Sequence, residues 1–232
     1  VSYVQPHGPL NAPARCFRAV NVEAIPGPIV PEWPEDPSAP DCFRDDKVRS
    51  QPTVNPRWRE YRHAYFADIA HLDEQLGKIV SALESTGRLE DTYIILVADH
   101  GEMLLDHGWS GKAERHYDAC IRVPLILSGP GVKSGATIPN LVQLEDIFPT
   151  VMDLARTDSP ELPVGGIHLE RGPVPVPGRS LLPLAQGQED IPWRTVAYSE
   201  SYNNLTESST THWARTVRTL EFRYTYYPGQ IG

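Results

Sequence analysis

Residues 92–98 read TYIILVA, and this short apolar run decides the fold class that the sequence predicts. A continuous apolar run of this length is typical of a strand buried on both faces of a sheet. Before it, residues 57–86 place apolar side chains mostly three and four positions apart, which predicts a helix with one apolar stripe. After it, residues 123–127 (VPLIL) predict a second buried strand and residues 144–155 a second helix. This order of elements favours an α/β fold with a mainly parallel sheet.

The regions outside these elements are of two kinds. Residues 1–56 and 157–192 are rich in proline with little periodicity, apart from a short β-like run at residues 1–4. A loop as long as the first one is uncommon in a compact domain unless it covers a site or an interface. Residues 195–228 instead alternate and are rich in Thr, Tyr, Val and Trp, which predicts antiparallel strands of a smaller sheet.

The composition restricts the classes of partner that the chain can bind. Its formal net charge is -9, which argues against a general affinity for nucleic acid or for anionic membranes. No segment has the roughly 18 consecutive apolar residues that a membrane span needs. An acidic protein that binds an anionic substrate requires a local positive centre, such as a metal ion or buried basic residues.

Polar residues that are candidates for metal binding follow the first predicted strand directly. Asp99 and His100 lie at its carboxyl end, where open α/β sheets bind their ligands. A carboxylate and an imidazole can both ligate a divalent cation, and Gly101 lets the chain turn away close to such a site. The same residues are also typical of a simple turn cap, so both interpretations stay open for these residues alone.

The motif extends well beyond this pair. Asp99-His100-Gly101-Glu102 is followed by an Asp-His-Gly turn at residues 106–108, by Lys112, and by RVPLI at residues 122–126. Upstream, residues 4–9 (VQPHGP) contain a Pro-His-x-Pro segment. In order and spacing these stretches resemble the sulfatase family of the alkaline phosphatase superfamily, and the resemblance covers almost the whole chain.

This resemblance implies a partial alkaline phosphatase-like α/β/α sandwich with a mainly parallel sheet, followed by the start of a small antiparallel sheet. Residues 1–192 are then the C-terminal part of the sulfatase catalytic domain, whose N-terminal part is absent. Residues 193–232 are the start of a small C-terminal β subdomain.

The resemblance also implies roles for individual residues. Asp99 and His100 are expected to be metal ligands. His7 and Lys112 are expected to be catalytic and to contact the sulfate or phosphate group of the substrate, with His116 a further substrate-binding residue. Ca or Mg suits an oxygen-rich site, while the imidazole of His100 also tolerates Mn, Zn or Fe.

Three more polar residues of the motif are expected to act within the protein. Glu102 is placed to hydrogen-bond the backbone of the loop. Asp106 and His107 fit a local turn of the family and are expected to be structural or to form a wall of the site.

The family's nucleophile is missing from the sequence. Sulfatases convert a Cys within Cys-x-Pro/Ala-x-Arg to formylglycine, and the residues after Cys16, Cys42 and Cys120 do not fit that pattern. Formylglycine is therefore absent from this chain, and we expect the chain to be the C-terminal half of a longer protein. Its missing N-terminal half is then an obligatory partner, the isolated chain is expected to be inactive, and localisation cannot be read from the sequence.

Three functions are compatible with these patterns. The first is a sulfuric ester hydrolase acting on a small molecule or a sugar. The second is a phosphonate or phosphate ester hydrolase of the same superfamily, because His100 stands where many sulfatases have Asn. The third is a non-catalytic binding module that retains the fold.

Overall fold

A computed structural model of the protein describes residues 1–30, 57–112, 115–158, 177–202 and 213–228. The α-helices are α1 Ala14–Ala19, α2 Trp58–Ser85, α3 Asp118–Ile121, α4 Ile147–Leu154 and α5 Leu182–Ala185. The strands are β1 Ile94–Val97, β2 Leu125–Ser128, β3 Ala197–Tyr202, β4 Trp213–Arg218 and β5 Arg223–Tyr226. Single 3-10 turns lie at Val22–Ala24, Leu89–Asp91, Asp106–Gly108 and Leu144–Asp146.

The long helix α2 confirms the clearest prediction from the sequence. It ends at Ser85, and Gly87 takes a positive φ of 66° just beyond, a conformation that favours glycine at helix ends. Helix α1 packs against α2, where the Arg15 guanidinium bonds the Glu74 carboxylate at 2.7 Å. The α2 helix is thus the support on which the N-terminal segment rests.

The two apolar strands are present, but their pairing differs from the prediction. β1 and β2 run antiparallel, with Ile94 opposite Ser128 and Val97 opposite Leu125. A parallel pair needs a crossover, usually a helix, whereas the described part of this connection holds only a 3-10 turn and the four-residue α3. The expected burial on both faces is also wrong for this pair, since Val97 and Ile126 remain 38% and 55% exposed.

The C-terminal strands form the predicted small antiparallel sheet. Its order is β3-β4-β5, with Ser199 opposite Thr216 and Thr216 opposite Thr225. The hydroxyls of Thr216 and Thr225 lie 2.7 Å apart, and Thr216 is fully buried. The polar inner face of this sheet turns toward the loop that follows β1, as described below.

One buried carboxylate joins α4 to the segments that lead into the small sheet. Asp146 is fully buried and bonds the Arg194 guanidinium through both oxygens. It also accepts the backbone N–H of Gln143 at 2.8 Å and of Arg179 at 2.7 Å. The hydrogen bonds to Asp146 raise the pKa of Arg194, so its guanidinium stays charged although it is largely buried.

Candidate active site

The loop after β1 is fastened to α3 by backbone hydrogen bonds. Gly101 N–H donates to the Cys120 carbonyl at 2.8 Å, and Glu102 N–H donates to the Ala119 carbonyl at 3.0 Å. A Cβ atom at position 101 would lie 1.9 Å from the Ala119 oxygen, so only glycine permits this close approach. The position of Gly101 fixes the preceding pair, Asp99 and His100, at the exit of β1.

The far end of the same loop folds back onto its beginning. The Glu102 carboxylate accepts the N–H of Gly111, and Met103 N–H donates to the Gly111 carbonyl at 2.9 Å. This confirms that Glu102 hydrogen-bonds the loop backbone. Because Lys112 follows Gly111 directly, the closure places its backbone near Glu102 and Met103.

A buried arginine anchors the middle of the loop to α2. Arg62 donates to the Leu104 carbonyl and to the Pro26 carbonyl, each at 2.9 Å, and pairs with Asp106 at 2.6 Å. Asp106 also accepts the Ile29 N–H at 2.7 Å. The structural role expected for Asp106 is therefore confirmed, and this network ties the N-terminal segment, α2 and the loop together.

The anchored loop holds strained backbone. Leu104, Leu105 and His107 have φ values of 48°, 72° and 55°, a left-handed region that costs about 1–2 kcal/mol for residues with a side chain. Such conformations persist only where surrounding contacts determine them, and they concentrate at functional sites. Here the surrounding contacts include an apolar cluster of Met103, Trp109 and Cys120.

Asp99 and His100 lie side by side at the exit of β1. Asp99 Oδ2 lies 3.5 Å from His100 Nε2, and the two side chains are 87% and 44% exposed. The Nδ1–H of His100 donates to the Gly101 carbonyl at 3.0 Å. Because a carbonyl only accepts, Nδ1 carries the proton of this hydrogen bond, and Nε2 is the ring nitrogen that faces the carboxylate. Hydrogen bonds of this kind orient histidine ligands in metal sites.

His7 repeats this local arrangement on a separate segment. Its Nδ1–H donates to the Gly8 carbonyl at 2.9 Å, which leaves Nε2 accessible on an exposed side chain. The β-like run at residues 1–4 forms no strand, because no described residue pairs with it, and the chain instead turns with His7 N–H bonded to the Val4 carbonyl. The structure thus places Asp99, His100 and Lys112 on one loop and His7 on another.

His116 is buried rather than presented to a cleft. It is 4% exposed, with Nδ1 2.7 Å from the Thr216 hydroxyl and Nε2 2.9 Å from the Ser201 hydroxyl. Both ring nitrogens are therefore engaged by the small C-terminal sheet. This arrangement favours a role in holding the sheet against the loop over the substrate contact expected from the sequence.

A cleft of about 480 Å³ lies between this loop, α3 and the small sheet. Arg223 and Arg218 reach Asp118 across it at 2.8 and 3.6 Å. His107 stacks on Tyr117 at 4.3 Å, and burial lowers the pKa of His107. The sequence did not predict that these arginines line the cleft, because they lie about a hundred positions along the chain from the residues that they face.

Comparison with known proteins identifies the family. The sequence model described as Sulfatase matches residues 1–157, which is more than half of the chain. The chain belongs to the sulfatase family. A second model, described as N-sulphoglucosamine sulphohydrolase, C-terminal, matches residues 105–231 of this sulfatase chain. None of its described helices is long and apolar enough to cross a membrane.

Several curated sulfatases are similar to the chain. An arylsulfatase of Clostridium perfringens is 30% identical over 174 residues, which are 73% of this chain and 36% of the relative. A choline-sulfatase of Rhizobium meliloti is 31% identical over 82% of this chain and 35% of the relative. An N-acetylglucosamine-6-O-sulfatase of Bacteroides thetaiotaomicron is 28% identical over 82% and 32%. The chain thus spans about a third of the length of these relatives.

Solved structures confirm the α/β fold class. A phosphonate monoester hydrolase from Silicibacter pomeroyi superposes with a TM-score of 0.74 at 24% identity, over 97% of this chain and 46% of that one, which shows the fold alone. A protein solved in complex with its substrate D-glucosamine-2-N,6-O-disulfate superposes with a TM-score of 0.64 at 27% identity, over 82% and 36%. The described residues are therefore part of a sulfatase-type α/β domain.

Proposed function

We propose that the chain forms one wall of the active site of a metal-dependent sulfatase that hydrolyses sulfate esters. Membership of the sulfatase family supports the hydrolase class. The observation that carries the proposal is the pair at the exit of β1, where Nε2 of His100 lies 3.5 Å from a carboxylate oxygen of Asp99 and Nδ1 is held by the Gly101 carbonyl. An exposed carboxylate and an oriented imidazole at a strand end are an incomplete but suitable set of metal ligands.

A divalent cation fits the donors that this pair offers. Ca or Mg suits the carboxylate, and Mn, Zn or Fe is also compatible with the imidazole nitrogen. When bound, such a cation would polarise the sulfate group as a Lewis acid. The His100–Gly101 hydrogen bond keeps the ligand lone pair on Nε2, and the Gly101–Cys120 bond keeps the pair at the strand end.

Lys112 and His7 supply positive charge and a proton in this proposal. The Lys112 ammonium contacts the sulfate oxygens as a point charge and favours the negative charge that develops during reaction. As an oxygen of the proposed nucleophile bonds the sulfur, the S–O bond to the leaving alcohol breaks, and the leaving oxygen takes a proton from Nε2 of protonated His7. The Nδ1 bond to the Gly8 carbonyl holds the His7 ring so that Nε2 points away from its own backbone.

We further propose that the nucleophile, a formylglycine, and the remaining metal ligands lie in sequence that this chain lacks. The chain spans 36% of the Clostridium perfringens arylsulfatase, and none of its cysteines stands in the family's formylglycine motif. The purified 232-residue chain is therefore expected to release no phenol from an aryl sulfate above the rate of buffer with metal. Metal-dependent, saturable turnover by the chain alone would contradict this.

Replacing Lys112 tests the site within the longer protein that contains this chain. Lys112→Ala is expected to lower kcat/KM for an aryl sulfate by about 100-fold, because the substituted site loses a charge aimed at the sulfate oxygens. Lys78→Ala is the matched control, since Lys78 is an exposed lysine on α2 bonded to Gln75 at 3.1 Å. Equal effects of the two substitutions on kcat/KM would contradict the proposed contact between Lys112 and the sulfate group.

Phosphonate or phosphate ester hydrolysis is the second candidate, favoured by the imidazole at position 100. Parallel kinetics of the longer protein with an aryl sulfate and an aryl phosphonate ester separate the two. We expect the higher kcat/KM with the sulfate ester, and a higher value with the phosphonate would establish the alternative. Binding of either ester with no turnover would instead favour a binding module.

Small molecules and sugars are the expected substrates, as the names of the choline and glucosamine sulfatase relatives suggest.

A further inference from the structure

A second group of metal-ligating side chains lies away from Asp99 and His100, where α1 packs on α2. One ligand atom each from Cys16, His71 and Glu74 falls within 4.8 Å of the other two. Glu74 Oε1 is 3.6 Å from Cys16 Sγ, and Glu74 Oε2 is 3.7 Å from His71 Nδ1. Within the described ranges this is the one such group that combines a thiol, an imidazole and a carboxylate.

The ligand atoms are already oriented toward one another. Arg15 bonds both oxygens of Glu74, at 3.1 and 2.7 Å, and so fixes the plane of the carboxylate. Gln75 Nε2 lies 3.4 Å from His71 Nδ1, an arrangement in which the amide donates to the Nδ1 lone pair, so a metal ion that binds Nδ1 has to displace this long bond. Hydrogen bonds to a ligating carboxylate, such as those from Arg15, are a usual second layer of a metal site.

A buried carboxylate lies beside the group. Asp68 is 1% exposed, and its two oxygens meet no partner at strict hydrogen-bond geometry among the described residues. Burial raises the pKa of Asp68, while His71 and the backbone amides of Ala12 and Asn11 lower it. Asp68 also lies near enough to Cys16 to raise the pKa of that thiol. A cation bound at the group would add to the partial compensation that these neighbours give the carboxylate.

The group is somewhat wider than a closed tetrahedral site. With bonds of about 2.3 Å to sulfur and about 2.0 Å to nitrogen and oxygen, neighbouring ligand atoms of a tetrahedral Zn²⁺ lie about 3.3–3.5 Å apart. The separations of 3.6 and 3.7 Å are to different oxygens of Glu74, and one ligand atom from each residue lies within 4.8 Å of the others, so side-chain rotations have to draw the three together. Sulfur, imidazole and carboxylate together favour zinc over Ca²⁺ or Mg²⁺, which prefer oxygen ligands.

We propose that Cys16, His71 and Glu74 form a zinc site that fastens α1 to α2, with Asp68 adding negative charge beside it and water completing the coordination. On binding, the thiol proton of Cys16 passes to solvent, its bond to Glu74 breaks and a sulfur–zinc bond forms, with no change in oxidation state. Because binding releases the thiol proton, we expect tighter binding at higher pH.

The test uses Co²⁺ as a spectroscopic probe of thiolate ligation in the protein containing this chain. Wild-type protein is expected to bind Co²⁺ with an intense thiolate-to-cobalt charge-transfer band that added Zn²⁺ abolishes. Cys16→Ser and His71→Asn are expected to lose the band while keeping the far-ultraviolet circular dichroism of the wild type. Should Cys16→Ser fail to fold, His71→Asn, which leaves the thiol in place, decides the outcome.

Matched controls separate this site from other thiols and from the proposed catalytic metal. Cys120→Ser removes another buried thiol, whose pKa burial raises to about 12, and is expected to keep the band. Cys42→Ser and the double variant Asp99→Asn, His100→Gln are expected to keep it as well. No band in the wild type, or a band that survives Cys16→Ser, would overturn the proposal and leave the proposed sulfatase function untouched.

Discussion

Replacing Arg62 by methionine is expected to destabilise the protein by about 3–5 kcal/mol. The guanidinium is 5% exposed and bonds Asp106, whose own side chain is 17% exposed, together with the carbonyls of Leu104 and Pro26. Methionine fills much of the volume but removes the donor to the Leu104 and Pro26 carbonyls and the charge that balances the half-buried Asp106 carboxylate, which keeps the Ile29 N–H. Urea unfolding, read as the shift of the midpoint at constant slope, measures the loss.

A control variant and a second measurement distinguish the contacts of Arg62 from an ordinary surface ion pair. Arg59→Met is the matched control, because Arg59 bonds Glu23 at 3.2 Å on the exposed face of α2 and its loss should cost under about 1 kcal/mol. Amide hydrogen exchange in Arg62→Met should increase in residues 101–112, the loop that carries Lys112. Equal costs for the two arginines, or unchanged exchange in the loop, would contradict the role assigned to Arg62.

Replacing Asp146 by alanine is expected to be similarly severe, at about 3–5 kcal/mol. The substitution leaves Arg194 charged with only 12% of its side chain exposed, and it removes the acceptor for the N–H groups of Gln143 and Arg179. Because Gln143 also bonds the carbonyl of Tyr198 at the start of the small sheet, the sheet should loosen together with α4.

Asp153→Ala serves as the control for this substitution, since Asp153 is an exposed aspartate on α4. Thermal unfolding of both variants, followed by far-ultraviolet and tryptophan signals, reports on the whole fold and on Trp193, which stacks near Arg194 at 5.3 Å. A loss at Asp146 no larger than that at Asp153 would show that the buried pair contributes nothing net to stability.

Local features of the fold could be predicted from the sequence. The spacing of apolar residues predicts α2 because helical periodicity persists over many turns, and the apolar runs predict β1 and β2 because a few neighbouring residues define a strand. Their antiparallel pairing could not be predicted, since it depends on how residues 98–124 fold back. Residues 1–4 have a strand-like pattern, but a strand requires a partner, and no described residue pairs with them.

In the candidate site too, the sequence predicts local features but not contacts between residues far apart in the chain. The geometry of Asp99 and His100 follows from adjacent residues at a strand end, so the sequence predicts them as a pair. The surroundings of His116 depend on Ser201 and Thr216, which lie 85 and 100 positions away. The group of Cys16, His71 and Glu74 was missed for the same reason, because α1 and α2 meet only through long-range packing.

The hydrogen bonds that His7 and His100 make to the carbonyl of the very next residue have a consequence for how the proposed site forms. Each ring is oriented by a glycine beside it in the chain, and not by a distant element. The direction in which each Nε2 points is therefore set by local sequence, before long-range contacts form. Completing the proposed site then requires the segments that carry the two histidines to be brought together.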